Sequence, residues 1–562
     1  MIDQIISKWW QRTFSVGLIL YLLAGHVAWA DTTGDKEEQD QRARQETEQR
    51  EQRQQQKDVF LQQGSKETEE TSLPQETNSF EIHKLELEGK DVTQFPWAQK
   101  MLAKYTGRKI GIKGIDVIVK RMTNAFIDRG YITTRVVVPE QNLSTGTLKL
   151  ILIPGKIGII RFAEKSIQGN WKTAFPARSG EILNLRQLEQ GLEQMKRLPS
   201  RDVDMQLVPG KNPGESDVVI TVKETDPYKF VFSIDDSGTQ ATGKIQTSEA
   251  LSLYDLFAIN DIFTITQNSD GDRAGSIRGT QGDSVYFSVP YGDSTFSFTS
   301  NRYQYHQTVY GDMQPFDSSG KTSSMEFHLT QLLHRDKVSK TNLELGIIKE
   351  HIRSYIEDTE IEDQNQDTTA FKLGISRRQY FGQATLDIEI DNKRGVPWFG
   401  AMGDSLAATG EDDRYKMWIM DTNLTTPVIL GSVKGNYRFT FHGQYSRDVL
   451  YETDMISIGN RYTVRGFDGE ENLSGESGWY IQNELAVPVP DGFQIYTGLD
   501  YGAVYGEYAQ NLLGRILAGA VVGVRAGTNK VSYDLFVGWP LREPAGFVTG
   551  NPTYGFQLTC QI

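Results

Sequence analysis

A chain of 562 residues exceeds what one ordinary hydrophobic core can fill, so two or more domains, or one very large sheet, are expected. Its formal net charge of −14 excludes nucleic-acid binding through phosphate contacts, which needs basic patches. The single cysteine, Cys560, excludes an intrachain disulfide and a multi-cysteine metal centre.

At the N-terminus Lys8 and Arg12 precede an apolar run from Phe14 to Gly25, and Ala28-Trp29-Ala30 follows. This three-part layout predicts a secretory signal peptide over residues 1–30, cleaved before Asp31. A membrane anchor needs roughly 20 apolar residues and this run has about 12. No later run approaches a spanning length, so a mature chain embedded in a membrane must be a barrel.

From Asp35 to Asp58 the sequence is DKEEQDQRARQETEQREQRQQQKD, rich in helix formers and nearly free of apolar residues. Such a helix has no stripe to bury and either stands in water or fills a wet channel. A disordered charged tail is the other reading, and on these residues alone the favoured one. Residues 61–79 have the composition of a flexible linker.

Two similar modules follow. In the first, Ile115, Ile118, Val119, Met122 and Phe126 share one helical face, Gly130 is placed to end that helix, and TTRVVVP and LKLILIPG read as strands. In the second, Asn184 can cap a helix whose buried face is Leu185, Leu188, Leu192 and Met195, Pro199 stops it, and DVVITVKE is a strand. A tandem pair of α+β units is expected, over 80–155 and 156–226.

After Pro227 runs such as KFVFSI, SVYFSVP and TFSFTS alternate apolar with small or polar residues, and no helical period appears. Tight turns at Tyr291-Gly292-Asp293 and Pro490-Asp491-Gly492 contrast with long polar connections such as IEDTEIEDQNQD. That asymmetry predicts a transmembrane β-barrel over 227–562, of about 16 antiparallel strands at about 21 residues each. The last nine residues, YGFQLTCQI, put Tyr554, Phe556, Leu558, Cys560 and Ile562 on a lipid-facing side, so Cys560 acts as a small hydrophobe.

Enzymatic motifs fail on inspection. GTQATGKI, Gly238 to Ile245, has phosphate-loop spacing, but Ile245 replaces the hydroxyl that would hold magnesium and no helix follows. No His-Glu-x-x-His or Gly-x-Ser-x-Gly pattern occurs, and the acidic loop from Glu357 to Asp367 lacks the glycine and spacing of a calcium loop and reads as solvated. No catalytic residue, metal or cofactor is expected.

One constellation does carry chemistry. In RYTVRGFDGE, residues 461–470, Arg465 stands between Val464 and Gly466, followed by Phe467. In QIYTGLDYGAV, period-two alternation puts Gly498, Asp500 and Gly502 on one face. A carboxylate flanked by two glycines makes a notch that can receive another segment's backbone and a guanidinium, whose planar fork pairs bidentately where lysine cannot. Arg465 is the candidate partner of Asp500; an exposed arginine near a glycine-rich turn is the alternative.

In order and spacing, GYITTRVVVPEQNLSTGTLKLILIPGKI, LNLRQLEQGLEQMKRLPS, DSGTQATGK, SVPYGDSTFSF, VRGF and GLDYG resemble the outer-membrane transporters of two-partner secretion. These TpsB-type exporters of haemolysin and filamentous haemagglutinin belong to the superfamily of BamA-like barrels. The resemblance implies a 16-stranded barrel in the outer membrane of a Gram-negative bacterium, two periplasmic POTRA domains, a plug helix over 31–58 and a linker over 59–79. It implies that Val464-Arg465-Gly466-Phe467 is the tip of a loop folded into the lumen, and Asp500 its acidic partner on the wall. Implied partners are a large secreted exoprotein (adhesin, cytolysin or contact-dependent toxin), outer-membrane lipid and the barrel assembly machinery. The implied activity is export without ATP; assembly of other barrels and passive diffusion are the alternatives. Ile562 departs from the aromatic residue with which such barrels usually end, which implies that recognition by the assembly machinery is weaker or relies on Phe556.

Overall fold

The computed structural model describes residues 36–37, 39–48, 58–61, 72–164, 169–272, 274–275, 277–310, 314–403, 413–431 and 433–562. The expected signal peptide, 1–30, lies outside the described residues.

The first module is built on the helix Ile112–Asp128, whose Ile115, Ile118, Met122 and Phe126 are buried. Its first N–H groups have no side-chain cap of their own; instead the Glu76 carboxylate accepts from Lys113 N (3.0 Å) and Gly114 N (2.8 Å). Gly130, at φ 93°, ends it in the left-handed region that a glycine adopts without strain. The helix packs on a sheet in which Lys84–Glu88 runs parallel to Thr147–Ile153, itself antiparallel to Arg135–Val137. The second module repeats this plan. Asn184 caps Leu185–Lys196 by accepting from Arg186 N, and Leu188, Leu192 and Met195 pack on strands Lys156–Phe162, Glu215–Glu224 and Arg201–Pro209.

The barrel has sixteen long strands. They are β1 Tyr228–Asp235, β2 Gln246–Tyr254, β3 Ile262–Asp270, β4 Arg278–Tyr291, β5 Ser294–Tyr310, β6 Pro315–Arg335, β7 Ser339–Ile356 and β8 Gln366–Phe381. The second half is β9 Ala384–Gly395, β10 Lys416–Leu430, β11 Val433–Ser446, β12 Ser477–Pro488, β13 Phe493–Tyr505, β14 Ile516–Gly527, β15 Val531–Arg542 and β16 Thr553–Gln561. Each pairs antiparallel with the next and β16 pairs with β1, so no edge is left open. The seam is short, from Gln557↔Asp235 to Gln561↔Val231, and Ile562 extends it through two backbone bonds with Phe230 (2.9 and 3.1 Å).

Because the modules lead into β1, the end of the barrel nearest them carries the short turns, such as 292–293 and 382–383. The far end carries the long connections, such as 396–415 and 447–476. Alternation sorts the side chains. Leu251, Ile265, Phe327, Trp418, Leu499, Val522, Leu535 and Tyr554 are exposed on the outside, while Glu344, Asp391, Asn423, His442, Gln444, Glu484 and Asp500 are buried within. Asp367, counted with a solvated loop in the sequence, instead lies in β8, where its two carboxylate oxygens both accept from Arg353 Nη2 (2.9 and 2.8 Å) and Oδ1 also accepts from His351.

Candidate functional site

The connection 447–476 does not project from the barrel; it turns back inside. Ile456–Ile458 and Leu473–Gly475 pair as a short antiparallel stem. Ile456, Ile458, Val464, Phe467 and Leu473 pack against Tyr480, Val504 and Leu517 of the wall in one apolar cluster. Burial of each such side chain contributes about 1.5–3 kcal/mol, so the loop has a dry core of its own.

At its tip Arg465 meets two carboxylates, one more than its sequence suggested. Its backbone N–H and its Nε both donate to Asp500 Oδ2 (3.0 and 2.7 Å), and Nη2 donates to Asp500 Oδ1 (3.0 Å), a bidentate pair. Nη1 donates to Glu484 Oε2 (2.5 Å). Glu484 also accepts from Arg525 Nη1 (2.5 Å), Arg525 Nε donates to Asp534 Oδ2 (2.7 Å), and the Tyr496 hydroxyl donates to Asp534 Oδ1 (2.8 Å). The Arg525 guanidinium lies 3.8 Å from the centre of the Tyr496 ring. The alternating chain Asp500, Arg465, Glu484, Arg525, Asp534 thus spans β12 to β15 and ties the loop into it.

Glycines let the backbones approach. A Cβ at Gly498 would stand 2.5 Å from Arg465 Nη2, and one at Gly502 2.9 Å from a Val464 methyl. At Gly519 it would stand 1.9 Å from the Arg465 carbonyl oxygen, and at Gly538 2.8 Å from Gly466 Cα. Gly466 itself has φ 109°, and Phe467 is edge-on to Phe547 at 5.6 Å. The structure therefore brings together Val464, Arg465, Gly466, Phe467, Gly498, Asp500 and Gly502. Glu484, Arg525, Asp534, Tyr496, Gly519 and Gly538 were missed, although period-two alternation already puts Glu484 on one face with Gln482.

Residues 36–37 and 39–48 are helical and stand in the lumen against this loop. Arg42 donates to the carbonyls of Thr453 (2.7 Å) and Met455 (3.0 Å), and Asp40 Oδ1 accepts from Asn460 (2.7 Å) and Asn472 (2.9 Å). On the wall, Arg44 pairs with Asp235 (3.2 Å), and Glu37 accepts from Thr242 and Tyr303 (2.7 Å each). A helix polar on every side finds a polar partner on every side, which accounts for the absence of an apolar stripe. A cavity of about 180 Å³ is left between Arg44, Arg461, Arg465, Glu484 and Arg525. Asp58, the expected last residue of the plug helix, is not helical, and residues 58–61, expected as flexible linker from 59 on, are held at the barrel mouth. Among the described residues no cluster of histidine, cysteine or carboxylates could hold a metal, and no helix is long and apolar enough to cross a membrane.

Comparison with known proteins identifies the family and the fold. Residues 214–526 match the family model for the haemolysin secretion/activation protein ShlB/FhaC/HecB, 80–155 match the ShlB-type POTRA domain, and 156–209 match a further POTRA domain. The chain is 42% identical to the outer membrane transporter CdiB-2 of Burkholderia pseudomallei over 87% of this chain and 88% of that protein. It is 29% identical to CdiB of Dickeya dadantii over 82% of each. The solved structure of CdiB from Escherichia coli superposes with a TM-score of 0.83 at 25% identity, covering 94% of this chain and 99% of that one. CdiB from Acinetobacter baumannii superposes with a TM-score of 0.83 at 28% identity, covering 93% of this chain and 99% of that one. With its closed barrel, apolar exterior and two POTRA domains, the chain belongs to the ShlB/FhaC/HecB family of haemolysin secretion/activation proteins, outer-membrane transporters of Gram-negative bacteria with their POTRA domains in the periplasm.

Proposed function

We propose that this chain exports one large, unfolded exoprotein from the periplasm to the cell surface without nucleotide hydrolysis. The carrying observation is a polar barrel holding a helix whose described residues meet the loop and the wall through hydrogen bonds and ion pairs, contacts that water or a passing chain can replace one by one. The cargo, an adhesin, cytolysin or contact-dependent toxin, binds the POTRA domains, for which an added strand at an exposed sheet edge is the natural mode. The plug leaves, the cargo threads past Arg465, and its folding outside biases the direction. Relatives named hemolysin transporter support a secreted protein as cargo. No step needs a catalytic group or cofactor. The exposed apolar band meets lipid, and the last strand, with Phe556, presents the chain to the barrel assembly machinery.

Deleting the chain and comparing secreted with outer-membrane proteins tests this. Loss of one large secreted protein with other barrels intact is expected. Depleted barrels with no secreted protein lost would indicate an insertase instead, and a large conductance unchanged by removing residues 31–58 a passive porin. Arg465→Ala and Asp500→Ala are each expected to impair export; both exporting like the parent from a normally assembled barrel would remove this pair from the mechanism.

A further inference from the structure

Asp58-Val59-Phe60-Leu61 lies between the helix Leu185–Lys196 of the second POTRA domain and the hairpin that joins β6 to β7. It is held by its main chain and its side chains alike. Val59 N donates to Glu193 Oε2 (3.2 Å), Leu61 N to Glu189 Oε1 (2.8 Å), and Arg335 Nη2 to Val59 O (2.5 Å). The N–H groups of alternate residues meet one helix, as in an extended chain. Three side chains add to this, Val59 being buried with the apolar core of the second module. Asp58 accepts from Lys340 Nζ (3.0 Å) and the Tyr380 hydroxyl (2.8 Å), and Phe60 is edge-on to Tyr380 at 5.1 Å with the Arg335 guanidinium 5.5 Å from its ring.

The slot is costly to build for a mere tether. Glu189 and the Arg335 side chain are fully buried, and Arg335 is braced by Gln190 (3.0 Å) and Glu193 (2.8 Å). Emptying the slot would take one main-chain donor each from Glu189, which keeps Arg186, and from Glu193, which keeps Arg335 and Lys340, and would take the Val59 carbonyl from Arg335 Nη2. An occupant therefore leaves most easily when another backbone takes its place. Arg335 Nε is buried with no hydrogen-bond partner, 3.8 Å from Glu189, a donor in reserve for a further carbonyl. Main-chain groups are common to every polypeptide, and the slot lies where the last POTRA domain meets the pore.

We propose that this slot docks an extended segment of the polypeptide in transit, one with a carboxylate followed two residues later by an aromatic ring. Residues 58–61 are its resting occupant, and since they lie ten residues beyond Glu48 of the lumenal helix, their displacement by cargo loosens the plug. The inference rests on the export reading and assigns it a recognition site.

The probe is a fluorescent peptide of residues 54–64, QQQKDVFLQQG, titrated against the full-length detergent-solubilised protein. A tethered competitor acts at an effective concentration of the order of millimolar, so vacating the slot by deleting residues 58–61 should tighten peptide binding by about tenfold. Adding Glu189→Gln and Glu193→Gln to that variant should abolish the gain, as should scrambling the peptide. If the glutamine pair fails to assemble, Tyr380→Ala takes its place, with a several-fold loss expected. Equal affinity for parent and vacated protein, or binding indifferent to Glu189, Glu193 and Tyr380, overturns the proposal. The export reading fails separately: a deletion strain that loses no secreted protein sinks it even where the peptide binds as expected, and a lost exoprotein with no peptide binding sinks the slot alone.

Discussion

Two segments fill the same lumen and are held there by different physics. The returning loop buries Ile458, Val464, Phe467 and Leu473 in a dry cluster and rests its backbone on glycines of three neighbouring strands. The helix buries Glu37, Gln39 and Arg44, polar groups that meet polar groups. Leaving the lumen exposes new apolar surface for the loop, at about 25 cal/mol per Å², and almost none for the helix, whose hydrogen bonds are exchanged for those of water. The loop is therefore part of the wall, whereas the helix is a removable occupant.

The comparison breaks most sharply at Gly519. Valine there puts a Cβ 1.9 Å from the Arg465 carbonyl oxygen, a clash with backbone that no rotamer relieves. The loop must leave its seat, at a cost of more than about 4 kcal/mol. Export should fall to background, and residues 447–476 should become open to protease added outside intact cells. Next in size is Arg465→Ala, which leaves Asp500 buried without its guanidinium and should destabilise the assembled barrel by about 3 kcal/mol. The temperature at which the folded band disappears in heat-modifiability gels reads this. Arg465→Lys keeps the charge but loses the fork that spans Asp500 and Glu484, so it should recover only part of the loss.

How much of this joint was legible depends on which distances a sequence encodes. Parity along one strand is a backbone property, so GLDYG alone puts Gly498, Asp500 and Gly502 on one side. What lies across a strand pair depends on register. The turn at Pro490–Gly492 sets Glu484 opposite Gly498 and Gln482 opposite Asp500, which brings the second carboxylate into the notch, and no residue of NELAVP announces that register. Gly519 sits at a register shift between β14 and β15, a local irregularity that alternation cannot foresee. The modules show the same limit. Helical periodicity finds Leu188, Leu192 and Met195, yet Gln190 and Gln194 on the other side are buried too, because the barrel covers a face that an isolated amphipathic helix would give to water.

The smallest effect sharpens the comparison from the helix side. Arg44→Ala removes the ion pair with Asp235, but that carboxylate keeps Arg461 at 3.7 Å and accepts from Ser237 N at 2.9 Å, so it is not stranded. The loss should be about 1 kcal/mol, that of one hydrogen bond, because the buried carboxylate keeps two other partners. That shifts the balance of docked and released helix about fivefold, visible in planar bilayers as more frequent large-conductance openings while barrel stability and export stay near those of the parent. Asp40→Ala, which removes the acceptor shared by Asn460 and Asn472, should act in the same direction, and combining the two should multiply the opening frequency, since they touch different walls of the pore. Should either variant instead destabilise the barrel as much as Arg465→Ala, the helix would have to be counted as a fixed part of the wall, and a chain could leave the cell only by a route that spares it.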